Sequence, residues 1–131
     1  MKKTMLKTLI GLIMLLPVGL MAQTTIEIDI SPNVLNIGSQ GTVVTVHTDI
    51  AYSAVAGASC YLNGVEIDWW KSDSRGQFVA KFDINEVKGL YGTGELELGM
   101  NTFTMTGQTK SGVDFSGTQE IKVVDVKPKG K

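Results

Sequence analysis

Period-two alternation of apolar and polar residues, in short runs divided by turn residues, constrains this chain more than any other feature. Ile26, Ile28 and Ile30 alternate with Glu27 and Asp29, and Ser31-Pro32-Asn33 stops the run because Pro cannot donate to a ladder. Val34 to Ile37 reads as a short edge piece. After Gly38-Ser39-Gln40-Gly41 comes Thr42 to Thr48, a central strand with Val44 and Val46 on one face and Val43, Thr45 and His47 on the other. The small side chains from Asp49 to Gly57 predict a connection crossing between sheets, with a strand resuming at Ala58. Asn63-Gly64, between Cys60-Tyr61-Leu62 and Val65-Glu66-Ile67, predicts a hairpin with a type I′ turn, which needs positive φ at both central residues.

Asp73-Ser74-Arg75-Gly76 marks the next turn, after which Phe78, Ala80 and Phe82 alternate against Val79 and Lys81. One segment has helical spacing. Asp83-Ile84-Asn85-Glu86 matches a capping box, Val87, Leu90 and Tyr91 follow at helical separation, and Gly92 ends it. Strands are expected again at Glu95 to Leu98, Phe103 to Thr109 and, after Lys110-Ser111-Gly112, Val113 to Val126, with a bulge at Gly117. About seven strands in roughly 100 residues predict an all-β fold, a two-sheet antiparallel β-sandwich with one short helix.

Residues 1–22 are different in kind. Lys2, Lys3 and Lys7 precede the apolar run Leu9 to Leu16, and Leu20-Met21-Ala22 places a small residue at a cleavage point, the pattern of a secretory signal peptide. The run is too short for the roughly 20 residues that span a bilayer. The expectation is an exported protein, periplasmic or extracellular, beginning at Gln23, with a sandwich domain over 23–126 and a basic polar tail over 127–131. The residue directly after the cut is Gln23 and not Cys, so no lipid anchor is expected. Among the 109 residues after Ala22, nine basic face 13 acidic side chains, a balance of −4. Such a surface gives no general attraction to nucleic acid. Cys60 is the one cysteine, so no intramolecular disulfide can form, and its phase with Leu62 predicts burial.

Catalytic equipment is sparse. His47 is the only histidine and is expected on the solvent face of its strand. With one His and one Cys, neither a zinc set nor a Cys/His couple extends beyond a single pair, so no cofactor or metal is expected. Glu66 with Asp68, and Glu95 with Glu97, are carboxylate pairs at strand spacing, and two carboxylates are what a small glycoside hydrolase needs. Alternation on a solvent face explains both pairs more simply, and the chain reads as no enzyme.

Trp69-Trp70 is the best candidate for binding. Neighbouring indoles on a strand point to opposite faces, and Trp69 is in phase with Val65 and Ile67. Trp69 is therefore expected to pack inward. Trp70 is expected to be partly exposed beside Asp68, Lys71 and Tyr61, forming a ligand site of Trp70, Trp69, Tyr61 and Asp68 that could stack on a sugar or anchor a protein. The simpler alternative is a Trp that covers the end of the sandwich.

Across its length after residue 22 the chain resembles a known family. Ile28-Asp29-Ile30-Ser31-Pro32-Asn33-Val34-Leu35-Asn36-Ile37, Tyr61-Leu62-Asn63-Gly64, Ala80-Lys81-Phe82-Asp83 with Val87, and Thr106-Gly107 with Gly112, Phe115, Gly117, Ile121 and Val123 carry the resemblance. They are similar to a recurrent secreted Ig-like β-sandwich module of bacterial and archaeal exported or surface proteins, which has no settled biochemical activity. The resemblance implies an Ig-like fold and puts Cys60 where a Val is usual. Family members often have a D-x-D-G-x-x-D loop implying calcium, which here is reduced to Asp73-Ser74-Arg75-Gly76. Together these readings predict a noncatalytic exported protein with a structural or interaction role, whose partner is a cell-envelope protein or a glycan. The alternatives are a carbohydrate-binding module using an exposed Trp and, more remotely, a carboxylate-dependent hydrolase.

Overall fold

The computed structural model describes residues 23–127; the signal-peptide reading of residues 1–22 and most of the basic tail lie outside the described residues. The strands are β1 (Gln23–Thr25), β2 (Ile28–Ser31), β3 (Val34–Asn36), β4 (Val43–Ala51), β5 (Val55–Leu62), β6 (Val65–Glu66), β7 (Trp69–Ser72), β8 (Gln77–Asp83), β9 (Gly99–Thr109) and β10 (Asp114–Val124). A 3-10 turn, Tyr52–Ala54, joins β4 to β5, and one α-helix, α1 (Ile84–Gly92), follows β8. The strands form two packed sheets. The first runs β1-β10-β9-β5-β6, with β3 also pairing β10, and the second runs β2-β4-β8-β7. An all-β sandwich is the fold.

Apolar alternation fills the space between the sheets. Val44, Val46, Phe78 and Phe82 from the second sheet meet Leu62, Phe103, Met105, Phe115 and Ile121 from the first, all fully buried. Cys60 is buried among them, as its phase with Leu62 predicts. Asn63 (φ 47°) and Gly64 (φ 87°) make the expected tight turn between β5 and β6. At the start of α1 the Asp83 carboxylate accepts from the Asn85 N–H at 2.7 Å, and Ile84 and Val87 bury the helix against the core.

Several sequence expectations are corrected. The Asp49 to Gly57 segment does cross from one sheet to the other, but most of it is strand: β4 continues to Ala51 and β5 begins at Val55, before Ala58. Glu95 to Leu98 is a loop. The N–H groups of Glu95 and Leu96 both donate to the Leu90 carbonyl, folding the chain back on α1, and β9 starts only at Gly99. There is no bulge at Gly117, since β10 pairs β9 in unbroken register from Asp114↔Gln108 to Val123↔Gly99. The glycine instead admits a close approach of another stretch of backbone, because a Cβ there would lie 2.7 Å from the Ile26 carbonyl oxygen. Ile26 belongs to the link that carries the chain from β1 in one sheet to β2 in the other.

Candidate functional site

The two tryptophans are placed by a change of sheet. The Ile67 N–H donates to the Cys60 carbonyl of the first sheet at 3.1 Å, and the next N–H, that of Asp68, donates to the Lys81 carbonyl of the second at 2.8 Å. The interior lies on opposite sides of the two sheets, so this step adds one residue to the alternation. Val65 and Ile67 face in, Asp68 and Trp69 both face out, and Trp70 turns in. The expectation that Trp69 packs inward is therefore overturned: its side chain is 49% exposed. Trp70 is partly exposed as expected, at 37%, but it is paired with core-facing Ala80 and its indole lies on Gly57 of β5. It seals the rim between the sheets, the end-covering role.

The four predicted ligand residues do not converge. Tyr61, 41% exposed, alternates with fully buried Leu62 and so faces outward from the first sheet, while Trp69 faces outward from the second. Asp68 is exposed in the link between them. The carboxylate pairs separate as well: Glu66 is on β6 and Asp68 has left that sheet, while Glu95 and Glu97 belong to the loop after α1. Loop conformation, not strand alternation, now sets where Glu95 and Glu97 point.

What the structure does bring together is the outer face of the second sheet. Register aligns Trp69, Lys81, Thr45 and Ser31 across its four strands, and beside them Lys71, Val79, His47 and Asp29. The Lys81 ammonium lies 5.5 Å from the Trp69 ring centroid and donates to the Thr45 hydroxyl at 3.0 Å. Burial holds the Lys81 pKa below the ordinary lysine value, and the charge of Lys71 adds to that effect. Val79 and Thr45, at the centre of this face, are buried although they point away from the core. Lys81, bonded to Thr45, and Lys71 and His47, in register with Val79, flank them. Lys81 is the member of this group that the sequence reading missed, and its signal was its outward phase against Phe82.

At the opposite end of the same face is a shallow open cleft of about 250 Å³, lined by Glu27, Ile28, Asp29, His47, Thr48, Asp49 and Arg75. His47 is on the solvent face, as expected. The Glu27 N–H donates to the Asp49 carboxylate at 3.0 Å. Arg75 comes from the Asp73–Gly76 turn, where the Asp73 carboxylate accepts from the N–H groups of Gln77 and Arg75. The bond from Gln77 is the largest influence holding the Asp73 pKa below its ordinary value. No set of three or more His, Cys, Asp or Glu side chains with metal-binding geometry occurs among the described residues. The outer face of the second sheet thus mixes charges: Lys71 and Lys81 on β7 and β8 have Asp68 just before β7 and Asp83 at the end of β8, while Glu27, Asp29, Asp49 and Arg75 line the cleft. Compared with protein-family models, characterised proteins and solved structures, the chain matches none.

Proposed function

We propose that this is a noncatalytic exported β-sandwich protein that acts through surface contacts in the periplasm or at the cell surface. The exposed Trp69 on the outer face of the second sheet is the observation that carries the reading. A half-exposed indole on a strand leaves apolar area in water that a partner can cover, and aromatic anchors of this kind dominate binding energy at interfaces. The strand orders β2-β4-β8-β7 and β10-β9-β5 correspond to the ABED and GFC sheets of an immunoglobulin constant-type domain. That correspondence supports the Ig-like reading and the resemblance to the secreted module. Export rests on the charged, apolar and small-residue order of residues 1–22; among the described residues no helix is long and apolar enough to cross a membrane.

The test is fractionation of cells expressing the full chain, with intact-mass measurement of the product and crosslinking from a photoreactive group at position 71, beside Trp69 on the same face. The expected product begins at Gln23, is recovered outside the cytoplasm, and gives a crosslinked species that disappears in Trp69→Ala. An uncleaved cytoplasmic chain overturns export, and crosslinking indifferent to Trp69 overturns the contact surface. Carbohydrate binding is the second reading, favoured by polar side chains next to the exposed indole: Lys81 across from it and Asp68 before it in the chain.

A further inference from the structure

We infer that Gln23, as the first residue of the mature chain, is a modification site at which the side chain closes on its own α-amine to form pyroglutamate. The inference rests on the export reading, which makes Gln23 the N-terminus, and adds a covalent step to it. A glutamine at that position holds its carboxamide carbon where attack by the amine closes a five-membered ring. The amine nitrogen bonds to that carbon, the bond from the carbon to the side-chain NH2 breaks, and a proton from the amine leaves with the NH2 as ammonia. Neither an oxidant nor a second substrate is consumed. The attacking amine is the neutral form, and an α-amino group titrates at about pH 8, so a fraction of it is neutral near pH 7 without a neighbouring base.

The fold leaves both reacting groups accessible. β1 is an edge strand that pairs β10 in parallel, with Gln23 opposite Asp114, Thr24 opposite Phe115 and Thr25 opposite Ser116. The backbone N–H and C=O groups of successive residues in a strand turn to opposite sides, and the Ile26 N–H donates to the Ser116 carbonyl at 2.9 Å. Thr24 and Ile26 therefore present their backbone groups to β10, and Gln23 presents its nitrogen to the open edge. Its side chain is exposed, and Asp114 opposite it accepts instead from the Gln108 side chain at 3.0 Å. Ring closure thus takes no donor from the β1–β10 ladder. The product begins with an uncharged lactam and offers an aminopeptidase no primary amine, at the strand that leads into the β1–β2 crossover.

The test takes the product made in cells from the full chain, labels it with an amine reagent before and after incubation at about pH 8, and sequences its N-terminal peptide by mass spectrometry. The expected peptide begins at residue 23, is lighter than the unmodified one by one ammonia, about 17 Da, and takes no label on its α-nitrogen. The product of Gln23→Ala, which has no carboxamide to lose, should have the unshifted mass and a labelled terminus. A peptide that begins at Gln23 and still has its full mass and a labelled amine after incubation overturns the inference and leaves export standing. A cut at any other bond does the same. An uncleaved chain in the cytoplasm overturns export and the inference together, and the same loss of ammonia in Gln23→Ala overturns the assignment to this residue.

Discussion

Cys60 places its thiol where water does not reach, and burial pushes its pKa from 9.0 up to about 11, opposed in part by a hydrogen bond with Ser59. The folded value is the higher one, so the protein is favoured fully below pH 9 and loses that contribution as pH rises from 9 toward 11. Urea titrations across that range should show a steeper loss of stability for the natural chain than for Cys60→Ala. A thiol reagent at pH 8 should leave Cys60 unmodified until denaturant is added; modification of the native protein at the unfolded rate would show the site to be open. Burial of Cys60 was legible in the sequence because it needed only the period-two phase with Leu62. Its neighbour was not: a Cβ on Gly107 would lie 2.8 Å from the Cys60 sulfur and 2.6 Å from the Phe115 ring. That glycine makes room for side chains of two other strands, and spacing along one strand does not identify them.

Among the elements, β7 was read least well. Its sequence Trp69-Trp70-Lys71-Ser72 continues the alternation of β6 on paper, and the sheet change at Ile67–Asp68 shifts that phase by one. The shift depends on which carbonyls the two N–H groups find. The consequence is a lock between elements, with the Trp70 indole occupying the place a Gly57 Cβ would take. Gly→Ala in a strand ordinarily stabilises slightly through the unfolded chain. Here Gly57→Ala should destabilise by about 1–3 kcal/mol, the range for an overpacked contact, and should shift Trp emission toward that of an exposed indole. Chemical denaturation followed by fluorescence measures both, and an unchanged or raised midpoint would remove the lock. By contrast α1 and the Asn63-Gly64 turn were legible, since a capping carboxylate and a positive-φ dipeptide act within a few residues of themselves.

For the whole molecule, the two rims of the sandwich are closed by different means. Trp70 seals one. The other is closed by the β1–β2 crossover, where the Ile26 N–H donates to the Ser116 carbonyl at 2.9 Å and the Gln119 side chain accepts from the Ile30 N–H at 2.6 Å. Gly117 allows that approach, so Gly117→Ala should cost about 1–3 kcal/mol and speed amide exchange at Ile26 more than in the centre of β4. Equal exchange at both would mean that the crossover is not held at this glycine. The sequence by itself determined the sandwich, most strand faces, the helix cap, the hairpin and the inward place of Cys60, because alternation and turn chemistry are local. Only the tertiary structure decided that Trp69 faces solvent beside Lys81, that Trp70 lies on Gly57 and that Gly117 admits a crossing chain. Each of these depends on which sheet a segment joins, and that choice is made by hydrogen bonds and packing between residues far apart in the chain.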